Sequence, residues 1–294
     1  MNTRITFLTF LGCVVFALTI GVPTVSATLD VVVSLAPQEW LVNRIGGEAV
    51  DGEILVSAGQ DPHSFEPKPR QIARLAKARL YFTVGLPFEK RLREKIEDAE
   101  MPVRFVDNAA GIVKIPVTIN EHGAGHSHHG DEDDPHVWLS PTNLMVMAGN
   151  IVQALSQADP TNARLYADNF AKLKDQLTTL HEGIASRLKP FAGAAFYVFH
   201  PSFGYFAKDY GLRQEAVEIE GKSPSPKQLQ HLIAKARKDG ARVIFSQPQF
   251  DPKSAEAVAQ AIGGRVVPLD PLAYDVAANL NLMADSIATA LSHE

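Results

Sequence analysis

The chain has 294 residues, of which 46% are hydrophobic, and its formal net charge is −5. This mild acidity argues against nucleic acid and favours small cationic or neutral partners, so we expect no nucleic-acid partner. The single cysteine, Cys13, lies in an apolar leader, so the mature chain has neither disulfides nor thiolate metal ligands. Any metal must therefore be held by nitrogen and oxygen.

Residues 1–27 have the pattern of a cleaved secretion signal. A positive charge at Arg4 precedes an apolar run that extends to about Val22, and a small-residue cleavage site ends at Ala27. Apolar sequence continues beyond Cys13, which is therefore a poor site for lipid attachment. We predict cleavage of this leader and a periplasmic protein without a lipid anchor.

Residues 28–158 are predicted to form a first α/β lobe, because short β-rich runs alternate with helical patterns. Near-continuous apolar runs of this kind are typical of parallel strands that are buried on both faces. The runs cover residues 31–35, 53–56, 80–84 and 103–106.

The tripeptide Asp-Pro-His occurs twice in this region, ending at His63 and at His136, and each copy is followed by an aromatic residue and another proline. Proline fixes its own φ and restricts the residue before it, so both imidazoles are expected on stiff loops. His63 follows the second predicted strand, and His136 ends the loop that leaves the lobe. Stiff loops suit metal ligands, which must stay in place.

Residues 121–134 combine histidines and acidic residues with three glycines, a composition that cannot bury a core and predicts a mobile loop. Two interpretations stay open: an auxiliary, weaker metal-binding tract, or a solvated charged loop without a role. The candidate auxiliary ligands are His122, His126, His128 and His129.

Residues 159–190 carry an amphipathic stripe that predicts one long helix between Pro160 and Pro190. About 28 residues at about 1.5 Å each give a length on the order of 40 Å. We expect a stiff connection between two lobes; an ordinary surface helix of one domain is the alternative. The apolar positions are Tyr166, Phe170, Leu173, Leu177, Leu180, Ile184 and Leu188.

Residues 191–294 repeat the α/β alternation and are predicted to form a second lobe with a mostly parallel sheet. His200 directly follows the first of its β-rich runs, and Asp270 and Asp275 follow the last. Ligands in open α/β sheets bind at the carboxyl ends of strands. Three imidazoles and one carboxylate could thus meet between the lobes in a tetrahedral site that zinc accepts. The β-rich runs cover residues 196–199, 215–219, 242–245 and 265–269.

Three segments, residues 59–67, 134–141 and 199–206, resemble the signature segments of the zinc- and manganese-binding solute-binding proteins of ABC transporters. The likeness covers essentially the whole mature chain. It implies two α/β lobes joined by a rigid helix, with the metal bound between them and delivered to a membrane permease. We also expect a monomer, with a periplasmic metallochaperone as a candidate further partner.

The same resemblance implies a ligand set. His63, His136 and His200 match the family's three imidazole positions, and Asp275 best matches its carboxylate. A water molecule, Glu66 or Asp270 is the alternative fourth partner.

Manganese members of this family typically carry glutamate at the position of His200, so the third imidazole favours zinc as the transported ion. A few members with three histidines take manganese, which leaves a manganese or mixed-metal binding protein, or a metal-binding adhesin, as the alternative.

A secreted zinc hydrolase is the more distant alternative. The His181-Glu182 pair lacks the second histidine of the zinc-protease helix because Ala185 stands there, and the chain has no Gly-x-Ser-x-Gly elbow. We therefore predict that the protein is not an enzyme. His181, His231 and His293 are interpreted as packed or surface residues.

Overall fold

A computed structural model describes residues 28–117, 133–218 and 224–292. These residues form two four-stranded sheets flanked by helices. Within each sheet every pair of neighbouring strands is parallel. The predicted α/β fold with two similar lobes is confirmed.

The first sheet has the strand order β2-β1-β3-β4. Its inner strands, β1 and β3, are its most apolar ones, and β3 is buried along its whole length. The strands are β1 (Leu29–Val33), β2 (Val50–Ile54), β3 (Leu80–Thr83) and β4 (Arg104–Asp107).

Four helices accompany this sheet, and each has proline in its first turn. The ring's fixed φ suits a helix there, and no intrahelical hydrogen bond is lost because first-turn N–H groups have no acceptor within the helix. The helices are α1 (Ala36–Gly46), α2 (Pro69–Leu75), α3 (Pro87–Asp98) and α4 (Pro141–Ala158).

The second sheet has the order β6-β5-β7-β8, which repeats the arrangement of the first. The strands are β5 (Ala195–Val198), β6 (Arg213–Ala216), β7 (Val243–Ser246) and β8 (Arg265–Pro268). The helices that follow these strands are α6 (Gly204–Asp209), α7 (Pro226–Lys238), α8 (Lys253–Ile262) and α9 (Val276–Leu291).

The predicted amphipathic stripe forms α5 (Ala163–Leu188), a helix of 26 residues that lies between the two sheets in the chain. Short 3-10 turns flank it at Pro160–Asn162 and Lys189–Phe191. The helix packs against α1, α4 and α9. Its buried side chains belong to a hydrophobic core that continues from the first sheet into α6 and α9 of the second lobe. This shared core makes the connection between the lobes stiff.

Some predictions fall outside the described residues: the leader 1–27, most of the loop 121–134 with its four histidines, and His293. Among the helices that the structure does describe, none is both long enough and apolar enough to cross a membrane.

Candidate metal centre

Three imidazoles from separate parts of the chain meet at one point. The candidate ligand atoms of His63, His136 and His200 all lie within 4.8 Å of one another. The Nε2 atom of His63 is 3.2 Å from Nε2 of His136 and 3.2 Å from Nε2 of His200. Tetrahedral zinc with bonds of about 2.0–2.1 Å separates its nitrogen ligands by roughly 3.3–3.4 Å. The cluster therefore has the dimensions of a site for a single ion.

His63 is presented by the loop between β2 and α2. The Asp61 carboxylate accepts a hydrogen bond from the backbone N–H of His63 at 2.9 Å and another from the Ser64 hydroxyl at 2.8 Å. Phe65 packs edge-on against Phe88 of α3, with ring centroids 4.9 Å apart. Both contacts fix this loop to the first lobe.

His136 is held by a buried carboxylate. Oδ1 of Asp134 accepts the backbone N–H of His136 at 2.9 Å and lies 2.6 Å from its ring Nδ1. Because a carboxylate accepts hydrogen bonds, Nδ1 carries the proton, and the lone pair of Nε2 is left for a metal. Asp134 is only 1% exposed, so water hardly competes for its hydrogen bonds to His136.

The segment around His136 is also bonded to the second lobe, which the sequence did not predict. The Tyr205 hydroxyl donates to the Asp134 carbonyl at 3.0 Å, and the Trp138 indole donates to the Pro271 carbonyl at 2.7 Å. His136 precedes the connecting helix in the chain, yet its segment is anchored both by Asp134 and by residues that follow that helix.

His200 lies two residues after the end of β5 and is held on two sides. Its Nδ1 lies 2.8 Å from Oε2 of Glu218, a buried carboxylate that follows β6. The Gln247 amide accepts the backbone N–H of His200 at 3.1 Å and donates to its carbonyl at 2.7 Å. Sequence reasoning missed both partners. Glu218 follows the strand that neighbours β5, and this placement was the available signal.

The environment of His63 favours its neutral form. Burial, followed by the nearby His136 and His200 rings, lowers the pKa of His63 to about 3, and Asp61 offsets only part of this effect. An imidazole that is neutral at neutral pH has a free lone pair and releases no proton when it binds a cation.

The walls around the cluster are largely apolar. The three imidazoles line a pocket whose other walls include Trp138, Phe250, Pro271 and Leu272. Phe250 stacks on the His200 ring, with ring centroids 4.8 Å apart. Such walls restrict water around the imidazoles and strengthen any charge interaction inside. The arrangement can hold a cation.

None of the three predicted carboxylates joins the imidazole cluster. Asp275 is exposed, and its carboxylate accepts the backbone N–H of Ala278 at the N-terminus of α9. Glu66 is exposed as well. Asp270 accepts hydrogen bonds from the Gln249 amide and from the backbone N–H of Leu272. The described residues thus bring together three of the four predicted ligands, and Asp275 lies outside this group as the N-cap of α9.

The remaining described histidines lie outside the cluster. His181 on α5 is half-buried, with its Nδ1 3.3 Å from the Tyr210 hydroxyl. His231 is exposed on α7.

Residues 31–291 match the protein family described as zinc-uptake complex component A, periplasmic, or ZnuA. The high-affinity zinc uptake system protein ZnuA of Paracoccus denitrificans (strain Pd 1222) is 30% identical over 252 residues, which are 75% of this chain and 76% of the relative.

Two solved structures are also similar. A crystal structure of ZnuA is 38% identical with a TM-score of 0.83, covering 90% of this chain and 99% of that one. A ZnuA deletion mutant with zinc bound is 38% identical with a TM-score of 0.82, covering 90% and 98%. The chain belongs to the ZnuA family, and it is a metal-binding component of a transporter rather than an enzyme, as the sequence predicted.

Proposed function

We propose that this protein captures Zn²⁺ in the periplasm with His63, His136 and His200 and delivers it to the membrane permease of an ABC transporter. The observation that carries the proposal is the convergence of three Nε2 atoms, two pairs of which are 3.2 Å apart. Three nitrogens at this spacing leave one tetrahedral position for a fourth ligand.

The charge of the surroundings also suits a divalent cation. Asp134 and Glu218 are both buried, and each faces the Nδ1 atom of a ligand imidazole. As carboxylates, they supply two negative charges next to the ligand rings, without direct contact with the metal, and they orient these rings. The bound ion would thus be neutralised without a carboxylate in direct contact.

Zinc is favoured over manganese by ligand type, because imidazole suits zinc and manganese prefers oxygen donors. Two of the similar proteins support the same choice: the Paracoccus denitrificans protein is named as a zinc uptake component, and one solved ZnuA structure contains zinc.

The first experiment measures the affinity of the purified mature protein for Zn²⁺ and Mn²⁺ by competition with a chromophoric chelator. We expect Zn²⁺ to bind much more tightly than Mn²⁺. Single His→Ala substitutions at positions 63, 136 and 200 should each weaken Zn²⁺ binding by well over tenfold, since metal coordination is lost with the ligand. A ligand variant with wild-type affinity would remove that residue from the site, and tighter Mn²⁺ binding would overturn the choice of zinc.

His181→Ala is the matched control, because His181 is a half-buried histidine outside the cluster. It should retain wild-type Zn²⁺ affinity. Mass spectrometry of the protein from a periplasmic extract tests the location: a mature chain that begins near Thr28 without a lipid is the expected result.

A further inference from the structure

We propose that the side-chain oxygen of Gln249 accepts a hydrogen bond from a water molecule that completes the coordination of the metal. The inference rests on the proposed function and adds a residue that neither the sequence motifs nor the histidine cluster identifies. It makes the fourth position selective for water over an anion.

Gln249 lies next to the cluster, in the loop between β7 and α8. It lines the same pocket as His63, His136 and His200. The residues on either side hold the loop against the site: the Gln247 amide bonds to the backbone of His200, and Phe250 stacks on the His200 ring. The position of Gln249 relative to the imidazoles is therefore fixed.

The orientation of the Gln249 amide follows from its partner. Its Nε2 donates to Oδ1 of Asp270 at 2.8 Å, and the same oxygen accepts the backbone N–H of Leu272 at 2.9 Å. A carboxylate only accepts, so the nitrogen end of the amide must face Asp270, and the oxygen end must point elsewhere.

That oxygen lacks a partner in the part of the chain that the structure describes. Oε1 of Gln249 is buried and makes no hydrogen bond there. Native proteins seldom leave a buried carbonyl oxygen without a donor, and such an atom near a binding site calls for one. Since Gln249 lines the pocket of the imidazoles, the donor that suits it is a ligand of the ion that they bind.

A metal-bound water is such a donor. Its oxygen binds the metal and both of its protons remain available, so it can donate to the amide oxygen. A small anion such as azide offers only lone pairs and would be repelled by the same oxygen. Gln249 would thus retain water at the fourth position, which the predicted carboxylates do not occupy, and discourage anions.

The test uses the mature protein loaded with Zn²⁺ for affinity and with Co²⁺ for its visible spectrum. Gln249→Met removes the acceptor and keeps nearly the same length. We expect Zn²⁺ binding to weaken by roughly tenfold, as is common for residues that support a metal site. Azide should bind the Co²⁺ form of this variant at least several-fold more tightly than the wild type.

Gln249→Leu is the second variant, in case the first does not fold, and Gln230→Met on α7 is the matched control. Gln230 is exposed and does not line the pocket. Circular dichroism and thermal unfolding of the metal-free proteins verify the fold. If both variants at position 249 stay within twofold of the wild type in Zn²⁺ affinity and in azide affinity, the inference is wrong.

The outcome is separable from that of the proposed function. If His63→Ala retains wild-type Zn²⁺ affinity, the proposed metal site itself fails. If His63→Ala loses tight binding while the variants at position 249 behave as the wild type, only the role of Gln249 is rejected.

Discussion

The two copies of Asp-Pro-His build the same backbone turn but place their imidazoles in different surroundings. In each copy the aspartate Oδ1 accepts the backbone N–H of the histidine at 2.9 Å. The Asp134 carboxylate also reaches the ring of His136, whereas the Asp61 carboxylate bonds to the Ser64 hydroxyl. The shared sequence therefore determines the turn, and the tertiary contacts determine what the carboxylate does to the ring.

The copies also differ in what anchors them. The first is held within the first lobe, whereas Tyr205 and Pro271 of the second lobe bond to the segment of the second copy. His63 is consequently positioned from the first lobe alone, whereas the segment of His136 is also bonded to the second lobe. The repeated motif thus provides two ligands that are held in place by different sets of contacts.

The strongest test of this difference replaces each aspartate with asparagine. Asp134→Asn removes the negative charge beside Nδ1–H of His136, which makes the imidazole a weaker ligand, so Zn²⁺ affinity should fall about 10–100-fold. Asp61→Asn is the matched control, because its side-chain oxygen can still accept the backbone N–H of His63. It should weaken binding only about twofold, since no ring contact is lost.

Chelator competition titrations of both variants give the answer. Equal losses of affinity in the two variants would show that the aspartates act only through the turn that they share, and that the ring contact of Asp134 is without consequence.

The second test uses the pH dependence of stability. The pKa of His63 is lowered to about 3 in the folded protein, mainly by burial, against an ordinary value near 6.5. Below pH 6.5 His63 is protonated in the unfolded chain, whereas in the folded chain it stays neutral until about pH 3. His63 therefore costs stability progressively as the pH falls through this window, and the cost is absent above it.

We accordingly expect the metal-free wild type to lose stability between pH 6.5 and 3 more steeply than His63→Asn, as measured by urea unfolding at each pH. Parallel curves for the two proteins would contradict the lowered pKa.

Much of the fold was predictable because its signals are local. The β-rich runs became the eight strands, with bounds shifted by a few residues, and the apolar stripe became α5. The three histidines were predictable from neighbouring prolines, from the place of His63 and His200 after strands, and from the family resemblance, and the structure brings them together.

Several of the residues that hold the ligand histidines were harder to predict from the sequence, because they are far along the chain from the histidines that they contact. Gln247 reaches His200 from the end of β7, and no pattern near either residue indicates the contact. Asp275 is different, because its role as a helix cap could have been predicted from the sequence. An aspartate directly before an apolar helical pattern is a typical N-cap. The family resemblance and the local sequence thus predict different roles for Asp275, and the structure shows the helix cap.

The smallest expected effect concerns the histidine-rich loop that leads into the second copy. The residues that flank this loop are already joined: Pro116 and Asp133 form an antiparallel bridge, and the backbone N–H of Asp134 donates to the Ile115 carbonyl at 2.8 Å. A short Gly-Ser linker in place of residues 121–132 should therefore keep Asp134 and His136 in position. We expect unchanged affinity at the tight site and fewer weak Zn²⁺ equivalents by calorimetry. Loss of tight binding would instead place a residue of the loop among the ligands, and the three histidines would then be only part of the tight site.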